Sequence, residues 1–138
     1  MKSFFSREKH TIYLTTYARG TGKPDHWAIF IATSKQDELG HILQIIHGRP
    51  FFEYSHRPNV KISTPGFLNK HVVIGEVRAT KIDKIARALG DIPVVNDDEH
   101  WNCQSWTRDA ILVLEDLGYV EKGTAENIDK MLSVRLRE

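Results

Sequence analysis

The sequence predicts an α+β fold, an antiparallel β-sheet packed against a few helices, in a single domain spanning residues 1–138. Three observations predict it. Through the first half, apolar residues alternate with period two or run in short continuous stretches. Through the second half they recur at helical spacing. No repeat, low-complexity tract or linker divides the halves, so sheet and helices must share one core.

The elements follow in order. Residues 11–17 are β-branched and aromatic with rough alternation, and the Gly/Pro-rich stretch 19–24 breaks them. Residues 26–33, HWAIFIAT, put Trp27, Ile29 and Ile31 on one face and His26, Ala28 and Phe30 on the other, which reads as a strand buried on both faces. After a polar turn at 34–40, HILQIIHG from His41 is a second apolar strand bounded by glycines, and a hairpin is the economical connection. Further strand signals lie at 51–54, 60–63 and 72–78. Ile82, Ile85, Ala86 and Leu89 then mark an amphipathic helix over 81–89, with Gly90 as its C-cap signal. After a loop at 91–101, Cys103, Trp106, Ala110, Val113, Leu114 and Leu117 form one helical stripe that Gly118 closes. A third helix over 125–136 carries Ile128, Met131, Leu132 and Leu136.

Lys and Arg number 19 against 18 Asp and Glu, formal net charge +1, and the charges are mixed along the chain. Such a chain offers no basic stripe, so nucleic acid is not an expected partner. No apolar run is long enough for a bilayer, and the N-terminus turns charged before a signal-peptide core forms. The expectation is a soluble cytoplasmic chain without a transmembrane segment. Seven His lack a His-x-x-x-His pair or clustered Cys, so neither metal nor cofactor is expected. The single Cys cannot form an intramolecular disulfide, and its thiol is either inert packing or reactive.

Asn102 is a favoured N-cap type, which places Cys103 at the first position of the second helix. Unpaired backbone N–H groups and the positive dipole end favour a thiolate there, the nucleophilic form, and the same groups suit an oxyanion. The plainer alternative is a small core residue on an apolar stripe.

Two segments bear on that choice, His26-Trp27-Ala28-Ile29-Phe30 and Asn102-Cys103-Gln104-Ser105-Trp106. Together they resemble the circularly permuted branch of the papain-like cysteine hydrolases: the lecithin retinol acyltransferase family, the deSUMOylating isopeptidases and the NlpC-type peptidases. In the acyltransferase branch a strand beginning His-Trp-Ala carries the base and an Asn-Cys-Glu-His-Phe segment opening a helix carries the nucleophile. The resemblance spans about residues 24–117. It implies a papain-like fold in permuted order, His strand first and Cys helix last, with Cys103 as nucleophile and His26 as general base. The family's third polar residue is commonly a His on the next strand. Here Gln44 occupies that place, and its carbonyl suits an imidazole N–H. His41 and His47 are its rivals, although strand alternation from Gln44 turns both to the opposite face.

Trp101, Gln104 and Trp27 are the candidate substrate contacts. A packed loop competes for Trp101, an exposed first-turn residue for Gln104, and a core position alternating with Ile29 and Ile31 for Trp27. Tyr13 and Tyr17 reach the site or simply pack. His10, His56, His71 and His100 read as surface residues, His100 sharing with Trp101 the alternative of lining the substrate cleft, and the acidic stretch 96–99 reads as a solvated loop or a repeller of anions. The resemblance implies a cysteine hydrolase or acyl/peptidyl transferase working through a thioester on a peptide, protein or acyl-ester substrate. Lipid-acting relatives carry a membrane-anchoring tail, and the ending SVRLRE turns the expectation to amide, peptide or isopeptide bonds. The alternative is an inactive papain-like binding or effector module.

Overall fold

The computed structural model describes residues 8–34, 36 and 38–137, with side chains through 133. The N-terminal reading at residues 1–7 and the packing of Leu136 lie outside the described residues. Five strands form one antiparallel sheet: β1 (Lys9–Ala18), β2 (His26–Ala32), β3 (Leu39–Ile46), β4 (Glu53–Lys61) and β5 (Phe67–Arg78), in spatial order β4-β3-β2-β1-β5. A short 3₁₀ turn, Ala79–Lys81, leads into three helices, α1 (Ile82–Gly90), α2 (Cys103–Asp116) and α3 (Thr124–Arg137). The class is therefore α+β.

All seven residues of β2 are buried, because this central strand is covered on both faces. Its pairing with β3 places Ile29 opposite Leu43 and Ile31 opposite His41, as a hairpin would. One face carries Ile12, Leu14, Trp27, Ile29, Ile31, Leu43 and Ile45 into the main core with all three helices. The other carries Tyr13, Phe30, Ala32 and Ile42 into a smaller cluster with Val60 and Ile62. That second cover is built by topology. β4 and β5 are opposite edges, so the chain between them crosses the helix-free face, and the Tyr17 hydroxyl donates to the Ile62 carbonyl at 2.6 Å.

Three elements differ from their sequence reading. The separate strand signals at 51–54 and 60–63 belong to one strand, β4, which continues through Pro58. An edge strand tolerates a proline that cannot donate, and a register shift lets Pro58 and Asn59, the latter at φ +54°, bulge outward. Gly90 is not a left-handed cap. It ends α1 within the helix, where a Cβ would lie 3.1 Å from the Tyr54 ring, and Asp91 is the C-cap. The α2 stripe is rotated: Thr107, Ile111 and Glu115 are buried, whereas Val113 and Leu117 are half-buried. Glu115 is admitted because its two oxygens accept the Gly123 and Ala125 amides, both at 2.9 Å, which caps α3. Gly118 closes α2 as expected, at φ +87°, with its amide bonded to Glu115 and that of Tyr119 to Leu114. Among the described residues no helix is long and apolar enough to cross a membrane.

Candidate functional site

β2 begins at His26, directly opposite Tyr17 near the end of β1. Pleating puts both side chains on the helix-free face, where their rings lie 6.0 Å apart. On β3, Gln44 alternates with Leu43 and Ile45, which enter the main core, and so it shares the face of His26. The two meet: His26 Nε2 and Gln44 Oε1 are 2.7 Å apart and buried. The other ring nitrogen, Nδ1, lies 3.4 Å from Nη2 of Arg19.

The tautomer follows from the partners. A guanidinium only donates, so Nδ1 presents its lone pair, and Nε2 carries the hydrogen that the Gln44 carbonyl accepts. Burial holds His26 below its ordinary imidazole value; the Gln44 hydrogen bond pulls the other way, and the Arg19 charge adds to the depression. A cleft of about 240 Å³ opens beside this pair, lined by Tyr17, Arg19, His26, Gln44, His47 and Pro65 among others.

Cys103 opens α2 as the sequence leads one to expect. Asn102 caps the helix from extended backbone, and its Oδ1 accepts the amides of Gln104 at 2.9 Å and Ser105 at 3.3 Å. Ser105 Oγ returns an acceptor to the Asn102 amide, completing a capping box. The cap therefore occupies two donors that the sequence reading left for an oxyanion, and the amide of Cys103 itself is the one it leaves over. The thiol is 3% exposed and packs in the main core on the helix side.

Residues 12–121 match a family of unknown function, from inside β1 to one residue past the bridge between Gly75 and Val120. The chain belongs to that family, DUF6540. The DUF6540 match takes in His26, Gln44 and Cys103 together with the sheet, save the first three residues of β1. Neither a curated protein nor a solved structure matches the chain.

Within this DUF6540 domain the sequence-derived site residues are brought together in part. Gln44 holds His26, and the two rivals do not. His41 lies on the helix-side face, 2.8 Å from His56 and stacked on it, while His47 stands at the cleft rim near Glu53 at 3.4 Å. His56 is thereby half-buried in a pair and not a lone surface residue. Gln104 donates to the Asp25 carbonyl at 3.0 Å, tying the Cys103 turn to the residue before His26. Among the described residues, however, no hydrogen bond joins the thiol to the imidazole, and the two side chains occupy opposite faces of the same end of the sheet. Trp27 is core, 5% exposed, with Arg108 stacked 4.9 Å above its ring. Trp101 packs edge-on against Phe52 at 5.8 Å and does not line the cleft.

The acidic loop is fastened down and not merely solvated. Arg49 donates to the carbonyls of Asp98, Glu99 and Trp101, and the Asn96 side chain pairs with both backbone groups of Phe52. Two residues escaped the sequence reading, Arg19 and Pro65. For Arg19 a signal existed: it lies two residues beyond Tyr17, which a hairpin sets opposite the histidine. Pro65 is brought in by the crossover, which no local pattern announces. No group of three or more His, Cys, Asp or Glu among the described residues is arranged to hold a metal ion.

Proposed function

We propose that the chain is a cysteine-dependent hydrolase or acyl transferase of papain-like, circularly permuted order, working through a thioester on Cys103 with an amide, peptide or isopeptide as acyl donor. The observation that carries the reading is the His26–Gln44 hydrogen bond of 2.7 Å, which fixes the imidazole as the Nε2–H tautomer and leaves Nδ1 as a base. Nδ1 takes the thiol proton, the thiolate attacks the carbonyl carbon, and the Cys103 amide receives the oxyanion. The imidazolium then returns its proton to the leaving amine. Water or an acceptor amine or alcohol releases the acyl group from the thioester. Because His26 faces the cleft on the far side of the sheet, the reading requires the imidazole, its tautomer set by Gln44 in the resting state, to leave both Gln44 and Arg19 and turn past the strand end toward α2. The Gln104–Asp25 bond supports this, since it holds the two chain segments together while that turn occurs.

The second reading, an inactive binding or effector module, is favoured by the 3% exposure of Cys103 and its place in the core. The pH dependence of iodoacetamide alkylation separates the two in wild type and His26→Ala. A thiol reacting well below its ordinary range near about 8.5, and losing that reactivity without His26, bears out the hydrolase. A slow thiol indifferent to His26 overturns it in favour of the binding module.

A further inference from the structure

We propose that the cleft beneath the β4–β5 crossover is a binding site for a carboxylate-bearing ligand, read by the Arg19 guanidinium. The inference shares His26 with the thiol reading but does not rest on it, because it assigns no role to Cys103.

The argument is an inventory of the cleft's polar groups. The hydroxyl of Tyr17 is spent on the Ile62 carbonyl, and the Gln44 carbonyl is spent on Nε2 of His26. His47 has Glu53 beside it. Arg19 is different. A guanidinium carries five N–H donors in a planar fork, and among the described residues its one hydrogen bond is the long 3.4 Å contact to Nδ1. Among the described residues no carboxylate forms an ion pair with it. The strand turn thus holds an unneutralised cation at the lip of a concave space of about 240 Å³, roughly eight water volumes at about 30 Å³ each, enough for a group of amino-acid size.

The chemistry of the lip selects the ligand. A planar carboxylate matches the guanidinium fork with two parallel hydrogen bonds. A doubly charged phosphate calls for more than one permanent cation or a nest of backbone amides, and Arg19 is the only permanent cation among the cleft's lining residues. Engaging a carboxylate draws the guanidinium away from Nδ1 and neutralises the charge that disfavours imidazolium. The ligand therefore raises the basicity of His26 and frees its lone pair. Recognition and the readiness of the base are coupled through one side chain.

The test is an NMR titration of the full chain, following the His26 imidazole nitrogens, with acetate as probe and acetamide as its neutral isostere. Acetate is expected to give a saturable shift and, at saturation, an upward move of the His26 titration midpoint, while acetamide gives neither. Arg19→Gln, at an exposed position, is expected to weaken acetate binding at least tenfold. Arg19→Lys should bind it more weakly than wild type because it loses the fork, and Cys103→Ala should bind it as wild type does. Equal response to acetate and acetamide, undiminished affinity in Arg19→Gln, or inorganic phosphate binding in preference to acetate would each overturn the assignment. Since alkylation reads the thiol and the titration reads the cleft, failure of the hydrolase reading is distinguishable from failure of this one.

Discussion

Replacing Tyr17 by Phe should destabilise the protein at neutral pH and stabilise it in strong alkali, because one hydroxyl has opposite effects in the two regimes. The ring is 1% exposed and its hydroxyl donates at 2.6 Å to Ile62, the carbonyl at which the crossover is pinned over the cleft. Removing the donor leaves that half-buried carbonyl to water or to nothing, a loss of about 1–2 kcal/mol. In alkali the balance changes. Burial pushes the Tyr17 hydroxyl from 10.0 up to about 12, so above about pH 10 the unfolded chain gives up this proton while the folded chain holds it. Stability is full below the unfolded value and drains away as the pH climbs toward the folded one. Two pH units at about 1.36 kcal/mol each make the full wild-type loss about 2.7 kcal/mol, of which about 2.3 kcal/mol is gone by pH 12, and the variant lacks it. The difference between the two proteins should therefore shrink above pH 10 and change sign before pH 12. Tyr54, also raised to about 12 by burial, is present in both proteins and cancels. Urea midpoints of both proteins at a series of pH values from 8 to 12 read this directly. Curves that stay parallel across that range would refute the argument.

Three further outcomes are expected. Glu115→Ala should cost about 3 kcal/mol in urea unfolding, since two charge-assisted bonds to the amides opening α3 are lost, and Glu115→Gln about half, because one carbonyl oxygen remains to accept; a loss below about 1 kcal/mol would mean that water replaces the cap. The His41–His56 pair should make the fold acid-labile: burial holds both imidazoles below 6.5, with His56 and then His10 adding to the depression at His41 while Asp83 opposes it at both. Stability is then present above 6.5 and falls as the pH drops through it, so Tm should fall less on acidification in His41→Gln/His56→Gln than in wild type, and equal slopes would remove the pair as the cause. Asn102→Ala should cost about 1 kcal/mol by uncapping α2, measured by the shift in urea midpoint, and no shift would show that the first-turn amides are solvated equally well without it.

Much of the fold was legible because the residues that carry it obey one rule each. β2 reads as a doubly buried strand since every one of its positions is apolar or, at His26, supplied with hydrogen-bond partners. The end of α2 reads from Gly118, where the backbone needs a left-handed residue. What failed involved polar groups with hidden partners. Glu115 and Thr107 look like surface residues until Gly123, Ala125 and the Cys103 carbonyl accept or supply their bonds, and hydropathy cannot anticipate that. β4 failed for a different reason, because an edge strand is permitted the proline and the polar face that elsewhere would end it.

The candidate site shows the same division more sharply. Alternation alone places Gln44 with His26 and turns His41 away, and those relations are in the structure. Alternation does not say which face of β2 the helices cover, since Trp27, Ile29 and Ile31 are no more apolar as a set than Ala28 and Phe30. That choice is made by the β4–β5 crossover, which occupies one face and leaves α2 the other. It sets Cys103 and His26 at the same end of the sheet but on different sides, with the imidazole lent to Arg19. Two consequences follow from this single topological fact: the thiol chemistry proposed above requires the histidine to turn away from both Gln44 and Arg19, and drawing Arg19 off Nδ1 removes one of those two restraints. The carboxylate proposed for the cleft would do that. If Arg19→Gln leaves the imidazole free without any ligand, its Cys103 should alkylate as fast as that of acetate-bound wild type. Were Arg19→Gln no faster than ligand-free wild type, the guanidinium would not be what restrains the base.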